Sequence, residues 1–317
     1  MPAWFVRICS RLYFFRCPMT ASVLPAAAAA LSEPTSIALA AGVRLEAIKT
    51  PLTEAAIPTA YVAAGDVASA LPLLLIHGFD SSLFEFRRLW PLLEPRAWAV
   101  DLLGFGFSDR ALCPQLSPGA IKLHLHSFWQ QKIGRPVVLV GASMGGAAAI
   151  DFALTYPEAV AGLVLIDAAG FAAGPAMGNL MVPPMDSWAT AFLRSPRVRR
   201  SISCQAYFDK SLVTADAELC AALHLQCPGW KEALIAFTKS GGYNFLTPKI
   251  SQITCPTLIV WGEQDKILGT KDARRFERAI ADCELIWIPQ CGHVPHLEKP
   301  QETAAAIAPF IARLAQG

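Results

Sequence analysis

Ser143 closes the apolar run Val137 to Val140 and opens a small-residue helix, inside Gly141-Ala142-Ser143-Met144-Gly145. A serine hydroxyl is a poor nucleophile in an ordinary loop. A sharp strand-to-helix turn changes that, because it pushes the oxygen into the open beside the helix's unpaired N–H groups. The tip of such a turn is strained, so the residues two before and two after it must lack bulk, as Gly141 and Gly145 do. The five-residue pattern alone is weak, with about 0.1 chance matches expected in a chain of this length. Its setting between a β-branched strand and a helix is what marks a nucleophile elbow.

An activated serine needs a base to take its proton and a carboxylate to hold that base in the right tautomer. Leu258 to Trp261 reads as a strand, and the following Gly262-Glu263-Gln264-Asp265 places Asp265 at its C-terminal end, where doubly wound sheets carry their sites. Leu285 to Ile288 reads as another strand, and the loop after it, Cys291-Gly292-His293-Val294-Pro295-His296, delivers His293. The chain order serine, acid, histidine suits the same architecture. Asp167, directly after the run Leu163 to Ile166, is the alternative acid; helping to fix the start of the segment that follows is its other role. Two backbone N–H groups are candidate oxyanion donors, that of Met144 at the helix N-terminus and that of Phe79 in His77-Gly78-Phe79-Asp80. His77 and Gly78 support that turn, and the Phe79 ring is expected to help close the pocket. His296 is expected behind His293. His124, His126 and His224 read as satisfied surface or core histidines rather than ligands. Asp80, Ser81 and Ser82 could cap the next helix, and Glu263 is read as idle.

The elements that must position these groups are short apolar runs bounded by Gly, Pro or Asp. They fall at Val43 to Lys49, Thr59 to Ala63, Leu73 to Ile76, Ala97 to Val100, Val137 to Val140, Leu163 to Ile166, Thr257 to Trp261 and Leu285 to Ile288. Helical stretches are predicted near 82–93, 118–133, 144–156, 271–281 and 300–314. Such alternation implies an α/β fold, a mostly parallel eight-stranded sheet with helices on both faces. The first two strands have no helix between them and should pair as an antiparallel hairpin at the sheet edge. From 171 to 246 the strand rhythm stops, and helical pieces such as Ala217 to Leu225 and Trp230 to Lys239 mark a helical lid inserted between core segments 36–170 and 247–317. Its Met177, Met181, Met185, Trp188 and Phe192 could line an acyl pocket or pack on the core. Its Arg194, Arg197, Arg199 and Arg200 read as a solvated face.

Residues 1–35 differ from the rest. Arg7, Arg11 and Arg16 are interleaved with Trp4, Phe5, Phe14 and Phe15, and no acid precedes Glu33. The segment reads as an extension outside the fold, either a targeting peptide or a disordered tail; Met19 as the true start is the other reading. A cytoplasmic home is expected, or a plastid if residues 1–31 are a transit peptide. The longest apolar stretch, Ala21 to Leu31, is too short to span a bilayer, so no transmembrane segment is predicted. With Lys plus Arg at 27 against 25 Asp plus Glu, the net charge of +2 provides no footprint for nucleic acid, and a small-molecule substrate is expected. Nine irregularly spaced cysteines with no C-x-x-C pair argue against a disulfide framework and a zinc site. Cys291 reads as a small buried hydrophobe.

The segments HGFD, DLLGFGFSDR, GASMGG, WGEQD and CGHVPHLEKP occur in an order and spacing that resemble the α/β-hydrolase superfamily over about residues 36–317. The resemblance implies that fold, an inserted cap and a Ser143, Asp265, His293 triad, and it makes the loop around Ser108 and Asp109 structural. Serine at the elbow departs from the dehalogenase and epoxide-hydrolase branches, which carry aspartate there. The sequence is most similar to the esterase-like and carbon-carbon bond hydrolase branch, including plastid and cyanobacterial-type members with SGGYN and GHVPH segments. The expected activity is cofactor-independent and metal-free hydrolysis of an ester or thioester of a small to medium apolar acid through an acyl-enzyme, by a monomer. Carbon-carbon bond hydrolysis of a diketone-like compound and a slow or non-catalytic binding protein of the same fold are the alternatives.

Overall fold

Each central strand sends alternate side chains into two different cores, which is why these strands read as unbroken apolar runs. Strands β3 (Leu73–Ile76), β5 (Val137–Ala142), β6 (Val160–Ile166) and β7 (Thr257–Gly262) show this. Leu74, Ile76, Leu139, Leu163, Leu165, Ile259 and Trp261 pack into one core. Their neighbours Leu73, Leu75, Val138, Val140, Val164, Ile166, Leu258 and Val260 pack into the other. With β1 (Arg44–Ile48), β2 (Ile57–Ala63), β4 (Ala97–Val100) and β8 (Cys283–Ile288) they form one eight-stranded sheet in the order β1-β2-β4-β3-β5-β6-β7-β8. Six strands from β4 to β8 run parallel, whereas β1 pairs antiparallel with β2 and β2 antiparallel with β4. The coordinates are a computed structural model, which describes residues 23–63, 71–93, 97–110, 115–171 and 182–316.

Eleven α-helices accompany the sheet: α1 (Pro34–Gly42), α2 (Trp90–Leu93), α3 (Pro118–Lys132), α4 (Met144–Thr155), α5 (Met185–Arg194), α6 (Pro196–Ala206), α7 (Ala215–Ala222), α8 (Trp230–Lys239), α9 (Lys271–Ala279), α10 (Pro295–Glu298) and α11 (Pro300–Leu314), all among the described residues. Side chains of α3, α4 and α9 fill the first core, and those of α1, α2 and α11 fill the second. Ser117 caps α3, its hydroxyl accepting from the N–H of Ala120, and Pro118 follows at the first helical position, where its missing N–H costs nothing. The stretch expected as one helix over 82–93 is two pieces, a 3₁₀ turn at Leu83–Phe86 and the single turn of α2.

Four helices, α5 to α8, lie between β6 and β7 and form a cap segment with no strand among its described residues. Its apolar residues are not where the sequence suggested. Met185, Trp188 and Phe192 face solvent on α5, with Trp188 70% exposed, while Asp186 and Thr190 form the buried side of that helix. Met177 and Met181 lie outside the described residues. The arginines also divide: Arg194, Arg197 and Arg200 are exposed, Arg200 pairing with Glu218, but Arg199 is drawn inward onto Asp80.

Residues 23–35, expected to stand outside the fold, are packed into it. Leu24 and Leu31 are buried in the second core. The backbone N–H groups of Ser32 and Glu33 and the hydroxyl of Ser36 all donate to the Asp216 carboxylate on α7, at 2.6, 2.9 and 2.6 Å. Glu33 in turn receives a forked pair of hydrogen bonds from Arg88. These are long-range pairings of polar groups, and they leave no local pattern in the sequence. No helix among the described residues is long and apolar enough to cross a membrane.

Candidate active site

Strand β5 enters the elbow and α4 leaves it, with Ser143 between them at φ 51° and ψ −120°, a conformation that L-residues adopt only under constraint. The constraint is visible. The Ser143 N–H donates to the carbonyl of Ile166, and its own carbonyl accepts from Gly146 and Ala169. A Cβ on Gly141 would sit 2.5 Å from the Gly145 carbonyl oxygen, and one on Gly145 would sit 2.0 Å from the carbonyl oxygen of Ile76. The elbow thus fits only if both residues are glycine. Ser143 is partly exposed although Ala142 and Met144 on either side are buried.

The loops after β7 and β8 bring Asp265 and His293 together, Asp265 Oδ2 lying 2.9 Å from His293 Nδ1. The other oxygen, Oδ1, accepts from the backbone N–H groups of Ile267 and Leu268 at 2.7 and 3.1 Å, so the carboxylate is fixed from two sides. Burial works against its charge, but the His293 contact and these amides outweigh burial and hold the Asp265 acid below its usual range. With Nδ1 committed to the carboxylate, Nε2 is the nitrogen left to act as base, subject to the tautomer that this bond selects. Ser143 and His293 line one cavity of about 290 Å³ together with Gly78, Phe79, Phe84, Ile202, Tyr207 and Leu297.

Asp167 lies alongside, within 4.8 Å of both partners. Its Oδ1 accepts from the Gly262 N–H at 3.1 Å, and its Oδ2 has no hydrogen-bond partner among the described residues. Complete burial and the neighbouring Asp265 carboxylate push its acid well above the ordinary range. Asp167, Asp265 and His293 are also a grouping whose ligand atoms lie near enough to hold a metal ion. In this arrangement the Asp265 and His293 atoms already face each other across a hydrogen bond, and Asp265 Oδ1 and Asp167 Oδ1 are engaged by amides.

The turn His77-Gly78-Phe79-Asp80, the candidate oxyanion turn, is braced by several side chains. His77 Nδ1 lies 2.8 Å from the Gly78 carbonyl, and its Nε2 accepts from the Leu102 N–H at 3.1 Å, which fixes a neutral ring with the proton on Nδ1. Burial lowers the His77 pKa to about 4, so this histidine orients the turn and does not shuttle protons near neutrality. The Gly78 N–H donates to Glu85 Oε2 at 2.7 Å, while Glu85 Oε1 faces His296 Nε2 at 3.2 Å. Burial opposes ionisation of Glu85, yet His296, His77 and the Gly78 amide carry its pKa down to about 2. Phe79 follows, its ring against Phe105 and against Phe237 of α8 at 6.0 and 5.9 Å between centroids. Met144, the other candidate donor, is the first residue of α4.

Several of these supports were not read from the sequence. Glu298 on α10 accepts from Gly292 N–H and Phe208 N–H with Oε2, and from Asp209 N–H with Oε1, at 2.8, 3.0 and 2.6 Å. It joins the histidine loop to the end of α6, where the His293 N–H also donates to Ala206 at 2.6 Å. Asp101 accepts from Leu83 and Phe107 N–H groups and braces the turn from the β4 side. The only signal for either would have been an acid set among Gly, Pro and apolar residues, as in HLEKP and VDLLGFG. Asp80 does not cap a helix as expected. Ser82 does so, its hydroxyl accepting from the Phe84 N–H, while Asp80, at φ 48°, turns toward the cap segment. His124 bonds Thr59 in the first core, and His126 stacks on Tyr156. Six cysteines, Cys291 among them, are free among the described residues, and burial pushes the Cys291 thiol up.

A family model described as the Alpha/beta hydrolase family matches residues 73–306. The Alpha/beta hydrolase domain-containing protein VTE7 of Arabidopsis thaliana is 36% identical over 243 residues, covering 75% of this chain and 73% of that protein. Lipase 1 of Psychrobacter immobilis is 28% identical, covering 77% of each chain. Among solved structures, a thermophilic esterase from Thermogutta terrifontis superposes with a TM-score of 0.72 at 24% identity, over 86% of this chain and 99% of that one, a likeness of fold.

Proposed function

Because this chain belongs to the alpha/beta hydrolase family, we propose that it is a serine hydrolase in which His293, oriented by Asp265, takes the proton of Ser143. The Ser143 oxygen attacks the carbonyl of an ester or thioester, and the carbonyl's electron pair moves to its oxygen, facing the N–H groups of Phe79 and Met144. His293 returns the proton to the leaving alcohol or thiol, and a water molecule, deprotonated by the same imidazole, resolves the acyl-enzyme. No cofactor enters these steps. The observation that carries the reading is the 2.9 Å contact of His293 with Asp265 at a cavity that the strained Ser143 also lines.

The lining favours a small to medium apolar acyl group. Phe79, Phe84, Ile202, Ala206, Val294 and Leu297 surround the serine. Two guanidiniums also line the cavity, Arg199, which is engaged by Asp80 at 2.5 Å, and Arg87; carbon-carbon bond hydrolysis of an acidic diketone-like compound is therefore the second reading. The test is turnover of a panel of p-nitrophenyl esters of increasing acyl length. Ser143→Ala and His293→Ala should each abolish hydrolysis while the melting temperature stays within about 2 °C of wild type, and retained activity in either variant would refute the assignment.

A further inference from the structure

Asp80 stands next to the candidate oxyanion donor Phe79 and is 7% exposed. Its side chain is met by three groups of the cap segment, each from a different element. Arg199 of α6 donates from Nη1 to Oδ2 at 2.5 Å and from Nη2 to the Asp80 carbonyl at 3.3 Å. His224, in the 3₁₀ turn after α7, places Nε2 3.1 Å from Oδ1, and the Trp230 indole N–H of α8 donates to the same oxygen at 2.7 Å. Helix α8 also presses Phe237 against the Phe79 ring. The two residues that follow Gly78 are therefore both gripped by the cap. On the other side, Glu85 holds the Gly78 N–H.

We propose that Asp80 is a positioning residue: by collecting Arg199, His224 and Trp230 it locks the cap segment onto the oxyanion turn and aims the Phe79 N–H at the developing negative charge. The inference rests on the serine-hydrolase reading above. Its physical basis is that Asp80 sits at φ 48°, a left-handed conformation that aspartate tolerates but does not favour. Tertiary contacts must hold it there, and the peptide plane that carries the Phe79 N–H lies one residue upstream. An amide displaced by a few tenths of an ångström stabilises an oxyanion less well while binding of the neutral substrate is little altered.

The test compares Asp80→Asn and Trp230→Phe with wild type on a p-nitrophenyl ester and against a phenyl trifluoromethyl ketone. That ketone adds the Ser143 oxygen to its carbonyl carbon, leaving the negative charge on oxygen and the serine proton on His293, and so reports on the oxyanion site. Asp80→Asn should lower kcat by about 10- to 100-fold with KM within about threefold, and weaken ketone inhibition by the same factor as kcat/KM. Trp230→Phe removes one contact, and should move both readouts the same way by about three- to tenfold. An active wild type beside an Asp80→Asn protein with unchanged kcat and ketone affinity, or with only KM raised, would overturn the inference. If Asp80→Asn does not fold, the same two readouts on Trp230→Phe decide it. A wild type that neither hydrolyses the ester nor binds the ketone overturns the functional reading instead, and this inference with it.

Discussion

Two buried acids crowd one imidazole, and exchanging each for its amide separates their roles. Asp265 Oδ2 lies 2.9 Å from His293 Nδ1, and its other oxygen is anchored by two amides. In Asp265→Asn the amide is held in the same place. Its NH₂ then points at Nδ1 and imposes the wrong tautomer, or its oxygen does and no charge remains to stabilise the imidazolium. The loss expected for such a change is about 10³- to 10⁴-fold in kcat, roughly 4 to 5.5 kcal/mol of transition-state stabilisation. Asp167 is different because burial and the Asp265 carboxylate raise its acid, disfavouring a charge there, whereas the His293 contact favours one on Asp265. Asp167→Asn keeps an oxygen for the Gly262 N–H, so kcat should fall by less than about tenfold. Steady-state hydrolysis of p-nitrophenyl butyrate by both variants, with burst amplitudes to count active sites, measures the ranking. The reverse order, Asp167→Asn far worse than Asp265→Asn, would refute the reasoning and move the acid to the end of β6.

Three further outcomes follow from packing and burial. Gly145→Ala places its Cβ 2.0 Å from the Ile76 carbonyl oxygen, so it should cost about 1 to 3 kcal/mol in chemical denaturation and most of the esterase activity, whereas Gly119→Ala, whose Cβ meets nothing closer than 3.9 Å, should be neutral or slightly stabilising. Burial lowers His124 to about 4 from 6.5; the unfolded chain binds that proton first, so its contribution to stability is complete above pH 6.5 and is lost as pH falls toward 4. At pH 5 the deficit is about 2 kcal/mol, and urea midpoints of His124→Asn against wild type should show the variant gaining on wild type by that amount between pH 7 and pH 5; a constant difference would contradict it. Trp188→Ser on the exposed face of α5 should leave KM for short soluble esters within about twofold, and a large rise would return that helix to the acyl site.

What the sequence discloses depends on how local the physics is. The central strands were legible because burial on both faces demands continuous apolar runs, and β3 and β4 end where the runs end. The elbow was legible for a related reason, since Gly141 and Gly145 are each required by a backbone contact within or beside the turn. The cap was legible only as a break in rhythm. On α5 the pattern misled, because helical periodicity states that a helix has two faces and not which face is covered: here Asp186 and Thr190 are inside and Trp188 and Phe192 outside. Asp80, Glu85, Glu298 and Asp216 were invisible as supports, since each spends its carboxylate on partners that lie far away in sequence or on backbone N–H groups. An acid with such a partner looks the same in sequence as one on the surface.

The central claim is that Ser143 Oγ is made reactive by His293 and Asp265. Its most direct test is incubation of the folded protein with a fluorophosphonate probe at neutral pH, followed by mass mapping of the adduct. The account predicts one probe per chain, on Ser143, with labelling lost in Ser143→Ala and slowed by at least about 10³-fold in His293→Ala. A folded protein that stays unmodified, or that carries the probe on another residue while Ser143 is free, would contradict it.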